Sequence, residues 1–390
     1  MEKVVIVSAA RTPIGDFGGS LKSVKAVDLM IAVIKECINR SQIDKVDIDQ
    51  IIVGNSLSPL DQNVARISLL LMGLPYDIAG HTINCACASA SQSVISGANA
   101  IALGQADIII AGGVESMSNA PYIMESARWG QRLRHAQAYD LLWKAMQEYP
   151  VGGGMGLAAE RLAEKYDISR EEQDILSVGS HARAIDAIKN GKFEQEIVPV
   201  EIEDRKGKTH VISTDEHPRE DASMATFGRL KPAFKEGGSV TAGNASGIND
   251  GAAAVILMSE TKASDLGIEP LAVIRASSVV AVDPHLVGLA PVPAIQKIFD
   301  ETGLSIGNIE LFEINEAFAS YYLACEKELG LNRDITNVNG SGISLGHPVG
   351  CTGCRILVTL LYEMQRRDLK LGIASLCAGG GVGNAICLER

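Results

Sequence analysis

The sequence has no apolar run of the ~18 residues that a membrane span requires. Its first residues, Met1-Glu2-Lys3-Val4-Val5-Ile6-Val7-Ser8, lack the charged start and long apolar stretch of a secretory leader and read directly as a strand. These two absences make a cytoplasmic protein the expectation. Positive charge is also scarce: 35 Lys and Arg stand against 47 Asp and Glu, a net charge of −12. An acidic surface of this kind argues against nucleic acid and against an anionic membrane face as partners. No Gly-Lys-Ser/Thr follows the glycines near the C-terminus, so they are not a Walker loop. The first strand lacks the glycine spacing of a dinucleotide fingerprint. No histidine cluster accompanies Cys85-x-Cys87 or Cys351-x-x-Cys354, which leaves a zinc reading weak and a redox reading no stronger. The eight cysteines are expected as free thiols.

What is present is a chain of 390 residues, 46% hydrophobic and 21% charged, long enough for two or three domains around a large core. Strand-like runs at 4–7, 51–54 and 107–111 alternate with helical patterns at 25–39 and 91–103. This βαβ grammar predicts an α/β fold with a largely parallel sheet and helices on both faces. The second half repeats the plan, with strands at 271–276, 310–314, 371–377 and 384–388 and helices at 292–302, 317–329 and 350–367. Two matching halves imply a duplicated unit with a pseudo-twofold axis. The segment 84–90, entering a helix, is set against 339–342, and the loop 111–116 against the loop at Cys377. Between the halves lies a more charged stretch with helices at 157–165 and 170–190. There Arg205, Lys206, Lys208, Arg219, Arg229, Lys231 and Lys235 outnumber the four acids between 205 and 235. They make either an anion site or a solvated face.

A few residues have settings suited to chemistry. Cys87 sits among small residues, Asn84-Cys85-Ala86-Cys87-Ala88-Ser89-Ala90-Ser91, where a helix begins. A helix N-terminus lowers a thiol's pKa, although a small buried hydrophobe fits the same residues. Alone among the histidines, His347 is held between Gly346 and Pro348. Cys377 precedes Gly379-Gly380-Gly381, and three glycines after a strand suggest close backbone approach to something. Asn315-Glu316 follows a strand, as a ligand-site pair or as a helix cap.

With these motifs in this order, the chain resembles the thiolase family over essentially its whole length. The matching pieces are Arg11-Thr12-Pro13, Gln62-Asn63-Val64-Ala65-Arg66, the Cys87 segment, Gly112-Gly113-Val114-Glu115-Ser116-Met117-Ser118, and Leu230-Lys231-Pro232-Ala233-Phe234. They continue with Thr241-Ala242-Gly243-Asn244-Ala245-Ser246-Gly247-Ile248-Asn249-Asp250-Gly251, Asn315-Glu316-Ala317-Phe318-Ala319, Gly346-His347-Pro348-Val349-Gly350 and the Cys377 loop. The likeness is greatest to the short-chain members that transfer acetyl groups.

The resemblance implies a fold of duplicated βαβαβαββ halves in a five-layer αβαβα core. Residues 1–117 with 248–269 would form the first half, 118–247 an inserted loop domain for coenzyme A and oligomer contacts, and 270–390 the second half. It implies reversible Claisen condensation of two acetyl-CoA to acetoacetyl-CoA and CoA through an acyl-cysteine. No permanent cofactor or metal is implied, coenzyme A thioesters are the substrates, and a homotetramer is the expected assembly. Cys87 corresponds to the nucleophile, His347 to its activator and an oxyanion donor, Cys377 to the acid/base, and Asn315 to the holder of an oxyanion-hole water. The N–H groups of Cys87 and Gly379 would form a second oxyanion hole, with the glycines needed because side chains would block the approach. Arg219, Ala242 and Ser246 correspond to positions along coenzyme A.

Some residues depart from the family pattern. Cys85 replaces an arginine, Ala90 a glycine and Ser91 an apolar residue, and Cys351 and Cys354 stand where small residues are usual. Gly154 stands where acetyl-specific members often have histidine, which leaves more room near the acyl chain and puts the two-carbon preference in doubt. A degradative 3-ketoacyl-CoA thiolase of broader chain length is therefore the alternative. A non-catalytic protein of this fold fits less well, because all four catalytic positions are intact. The second cysteine, Cys377, argues against the decarboxylating condensing enzymes. A disulfide between Cys87 and Cys377 is possible if the two thiols face each other.

Overall fold

Strand β1 (Val4–Arg11) shows what organises the molecule. All its residues are buried. Val5 and Val7 face one apolar cluster and Val4 and Ile6 another, the two-residue period of a strand. A strand buried on both faces needs a layer over each. The structure, a computed structural model, describes residues 2–390 except 132, 134, 204 and 205, so Arg205 of the basic run lies outside the described residues.

The sheet contains β1, β2 (Gln50–Gly54), β3 (Ala79–Ile83), β4 (Ile108–Ser116), β5 (Asn249–Ser259), β6 (Ala272–Ala281), β7 (Leu311–Ile314), β8 (Leu371–Ala378) and β9 (Val382–Glu389). Their order is β7-β8-β9-β6-β1-β5-β4-β2-β3, with the short strand Gly15–Asp16 added beside β5. Each half carries one reversed strand, β5 between β4 and β1, and β9 between β8 and β6. The halves join through Val5–Val273 and Ile6–Ala272. Thr336 pairs in parallel with Phe312, taking in the second half the place that β3 holds in the first. This is the expected duplication. The expectation of a largely parallel sheet is corrected: among the described residues, parallel ladders between strands are confined to β2–β3, β2–β4 and β7–β8. The reversed strand β5 carries Gly251-Ala252-Ala253-Ala254 in its first half, which gives no β-branched signal.

The main helices are α1 (Ala26–Ser41), α2 (Val64–Leu71), α3 (Ser89–Ala102), α4 (Met155–Lys165), α5 (Arg170–Lys189), α6 (Pro291–Thr302), α7 (Ala319–Leu329) and α8 (Thr352–Arg367). α1 and α2 cover the outer face of the first half. α6 and α7 cover that of the second. α3 and α8 lie between the two half-sheets in one shared core, so the order of layers is αβαβα. Cys351 and Cys354 are buried members of this central core. The stretch 118–247 leaves after β4 and returns into β5, carrying α4 and α5. Arg11 at the end of β1 fastens it. Its buried guanidinium bonds Glu196 at 2.6 Å and Asp215 at 2.7 and 2.9 Å. Among the described residues no helix is long and apolar enough to cross a membrane.

The central helices cross very closely. A Cβ on Gly353 of α8 would lie 2.5 Å from the backbone N of Ser91 in α3. The Ser91 hydroxyl donates to the Ala88 carbonyl and accepts from the Asn384 amide. The small polar residue therefore fits the crossing where an apolar one was expected. Beside it, a Cβ on Gly113 would fall 2.2 Å from the Gly350 carbonyl and 2.5 Å from Ala90. Gly353→Ala is thus expected to force the helices apart and destabilise the fold by about 1–3 kcal/mol, the usual range for an overpacked core. Urea denaturation monitored by circular dichroism checks this, and an unshifted midpoint would contradict the close crossing.

Candidate active site

The close crossing brings two turns together, one at the start of each central helix. Before α3, Ala86 has φ of +49°, a left-handed conformation uncommon for a residue other than glycine. The Ser89 hydroxyl fixes it, accepting from Cys85 N at 2.9 Å and donating to Ala86 O at 2.6 Å. Cys87 is thereby presented at the tip of the turn. Before α8, the backbone N of His347 donates to Asn249 Oδ1 at 2.9 Å, and Gly350 N donates to Glu115 Oε2 at 3.0 Å. Gly346 has φ of +99°, and a Cβ there would collide with the Asn249 amide. The His347 ring is buried, with Nδ1 2.7 Å from Thr352 Oγ1, while Nε2 has no partner among the described residues. The segment 339–342 enters only the single-turn helix Gly342–Leu345. The counterpart of the Cys87 turn is thus the 347–351 turn, not 339–342.

The end of β8 supplies the second thiol of the site, Cys377, and a glycine loop follows it. Gly380 and Gly381 have φ of +87° and +85°, and a Cβ on Gly381 would lie 2.3 Å from Val282 O. These two positions require glycine. Gly379 does not, since a Cβ there would make ordinary contacts of 3.5 Å with Tyr149 and 3.6 Å with Ala86. The protein itself therefore does not exclude a side chain at 379.

Burial dominates the electrostatics of the site. Burial pushes the Cys87 thiol up to about 11, against the N–H groups of Gly379 and of Cys87 itself, which donate to its sulfur. Burial outweighs the helix start that was expected to lower it. Burial, then the buried guanidinium of Arg355, holds the His347 imidazole down to about 3. The resting pair is a neutral thiol and a neutral imidazole. The Cys377 thiol is raised by burial and by its neighbour Cys87. Burial lifts Glu115 to about 7, opposed by donors from Leu57, Ser56, Gly350 and Asn55.

Cys87, His347, Cys377, Gly379, Arg219, Ala242 and Ser246 all line one cavity of 460 Å³. Both cysteines are free thiols. Asn315 is not on its wall. It is buried just beyond β7, and neither polar atom of its amide has a partner among the described residues. The cap reading of Asn315-Glu316 is not met, because Phe318 precedes α7 and Glu316 bonds Ser180 and Asn337. The walls are apolar, with Met155 and an aromatic series in which Phe318 lies 5.9 Å from Phe234 and 5.0 Å from Tyr321. The mouth is polar, with Asp16, His217 and Arg219. Of the described members of the basic run, only Arg219 reaches the cavity, and Lys235 is paired with Glu164. Cys85 is half-buried beside the site but not on its wall.

Sequence reasoning missed four contributors: Asn249, Glu115, Thr352 and Gln147. Asn249 and Glu115 stood inside quoted motifs without a role, and Thr352 was absorbed into a helix start. Gln147 lines the cavity and corrects the reading of Gly154. A Cβ at 154 would meet Gln147 Oε1 at 2.7 Å and its carbonyl at 2.9 Å, so the space beside this glycine is filled.

Comparison with known proteins agrees with this architecture. Residues 4–261 match the thiolase N-terminal domain and residues 268–390 the thiolase C-terminal domain. An acetyl-CoA acetyltransferase of Escherichia coli is 49% identical, covering 100% of both chains. The crystal structure of the Bacillus anthracis acetyl-CoA acetyltransferase superposes with a TM-score of 0.98 at 48% identity, over 100% of this chain and 99% of that one. Human mitochondrial 3-ketoacyl-CoA thiolase in complex with CoA superposes at 0.95 with 38% identity, over 100% and 98%. On its sequence, its duplicated fold and these likenesses, the chain belongs to the thiolase family.

Proposed function

We propose that this chain catalyses the reversible condensation of two acetyl-CoA molecules to acetoacetyl-CoA and CoA. One observation carries the reading: two thiols and a histidine whose Nε2 has no partner among the described residues converge on one apolar-walled cavity. The acetyl-CoA acetyltransferase relatives at up to 49% identity support the two-carbon substrate. In the proposed sequence, Nε2 of His347 takes the proton of Cys87 while the sulfur attacks the thioester carbonyl. The N–H groups of Cys87 and Gly379 hold the resulting oxyanion. The departing CoA thiolate takes a proton from Cys377. The Cys377 thiolate then removes an α-proton from the second acetyl-CoA. The enolate oxygen is stabilised by Nε2–H of the imidazolium and by a water held at Asn315. The enolate carbon attacks the acetyl-Cys87 carbonyl. Collapse expels the Cys87 thiolate, which recovers its proton from His347. Every proton is accounted for, and the raised affinity of Cys377 for a proton makes its thiolate a strong base.

The proposal extends to the rest of the chain. Residues 118–247 form a loop domain inserted between parts of the first half, 1–117 and 248–269, with 270–390 as the second half. Arg219, Ala242 and Ser246 receive coenzyme A, whose phosphates need a local cation on an acidic protein. A homotetramer built as a dimer of dimers is supported by the exposed edge strand β3 and by exposed Tyr122 and Trp129. Eight free thiols fit a cytoplasmic setting.

Cys87→Ser and Cys377→Ala are each expected to lower kcat for acetoacetyl-CoA thiolysis by at least ~100-fold, the scale of a lost nucleophile or acid/base group. A Cys87→Ser protein with full activity would sink the mechanism. Because Gln147 fills the space beside Gly154, kcat/KM should fall by more than ~10-fold from acetoacetyl-CoA to 3-ketohexanoyl-CoA, within the range one or two methylenes command in a shaped pocket. A flat or rising profile in the same assay would assign the chain to the longer-chain alternative.

A further inference from the structure

The His347 ring has two nitrogens, and the reaction proposed above uses Nε2. Nδ1 therefore needs a partner in both protonation states of the ring, because the ring is buried and an unpartnered buried N–H costs about 1–3 kcal/mol. Among the described residues its hydrogen-bonding neighbour is the hydroxyl of Thr352, at 2.7 Å. That hydroxyl has a second neighbour, the carbonyl of Pro348, 3.0 Å away and in a direction to accept from it. The two contacts define a short relay. Nδ1–H donates to Oγ1, and Oγ1–H donates to Pro348 O.

The geometry has consequences for each state of the ring. With the hydroxyl proton on Pro348 O, Oγ1 presents a lone pair, and Nδ1 carries the ring proton. Nε2 is then the bare nitrogen, and it is this nitrogen that has no partner among the described residues. When Nε2 receives a proton, the ring becomes an imidazolium with two N–H groups. The Nδ1–H donor keeps the same acceptor, and nothing in the relay has to move. The relay is also held rigidly. Thr352 is the first residue of α8, its own N–H bonds Pro348 O at 3.0 Å, and Cys351 N–H bonds the same carbonyl at 2.9 Å. The His347 backbone is fixed from the other side by Asn249 Oδ1. A carboxylate in place of Thr352 would draw the ring toward a resting imidazolium. Such a ring could not take the proton of Cys87. An uncharged hydroxyl supports the cation only as it forms.

We propose that Thr352 is a positioning residue for the condensation: it directs the free lone pair of His347 at Nε2 and accepts from Nδ1–H while the imidazolium carries the proton of Cys87. This rests on the roles proposed for Cys87 and His347. It assigns to one hydroxyl the choice of tautomer at the centre of the site.

The test compares Thr352→Val, which keeps the shape and removes the hydroxyl, with Thr352→Ser, which keeps the hydroxyl and removes the methyl. The valine variant should lose about 10- to 100-fold in kcat, the equivalent of one unpartnered buried N–H. Its KM for acetyl-CoA should stay within about 3-fold, because the threonine does not meet the substrate. The serine variant should stay within about 3-fold of the parent in both constants. Alkylation of Cys87 by iodoacetamide, read by peptide mass mapping, should slow with the valine variant and not with serine. Valine at parental activity would overturn the proposal. So would serine as impaired as valine, which would make the methyl group's packing the cause. If the valine protein does not fold by circular dichroism, Thr352→Ala is read by the same criteria. His347→Asn separates the two levels: an active His347→Asn protein sinks the underlying mechanism, whereas an inactive one beside a fully active Thr352→Val protein sinks only the role of Thr352.

Discussion

The crossing of α3 and α8 is the constraint on which the rest depends. The two helices are the middle layer, shared by both half-sheets, and they touch where Gly353 meets the backbone of Ser91. Gly113, Ala90 and Gly350 continue the contact without side chains between them. One chemical group stands at the start of each helix, Cys87 before α3 and His347 before α8. Neither half of the duplicated chain holds both. The pseudo-twofold relation therefore makes the site as well as the fold, since it sets one turn against its counterpart and leaves a cavity between them.

The polar groups behind these turns explain how a mostly apolar site keeps its shape. Glu115 accepts four hydrogen bonds from Asn55, Ser56, Leu57 and Gly350, so a strand end of the first half grips the histidine turn of the second. Asn249 grips the same turn at His347 N and reaches Gly15 through its amide. With the framework satisfied, the reacting groups are left with little solvation, and burial keeps Cys87, Cys377 and His347 uncharged at rest. Charge forms only during reaction, beside backbone N–H groups already in place. Such preorganised donors act more strongly in low dielectric than in water.

The residues legible in the sequence were those whose neighbours are unusual. Cys87 stood among small residues, His347 between glycine and proline, and Cys377 before three glycines, and all three reach the cavity. Of the eight main helices, seven were legible from periodicity, as were most strands; α2 was not read. What stayed hidden depends on pairing across the chain. The reversed strand β5 opens on Asn249-Asp250 and continues with glycine and three alanines, so its partners β1 and β4 reveal it. The roles of Thr352 and Asn249 are set by a ring and a backbone N–H distant in sequence or folded back upon them. Gly154 suggested an open pocket because its own side chain is absent, yet Gln147 occupies the room. The basic run suggested a broad anion site, and its geometry delivers Arg219 alone to the cavity among its described members.

The central claim is that acyl transfer passes through a covalent intermediate on Cys87 and on no other of the eight thiols. The most direct measurement is to mix the protein with isotopically labelled acetyl-CoA, quench in acid within milliseconds to seconds, and locate the label by peptide mass spectrometry. The account predicts one acetyl group per chain, on the peptide containing Cys87, discharged by added CoA. Label on Cys377 or Cys85, or none at all while condensation proceeds, would contradict it.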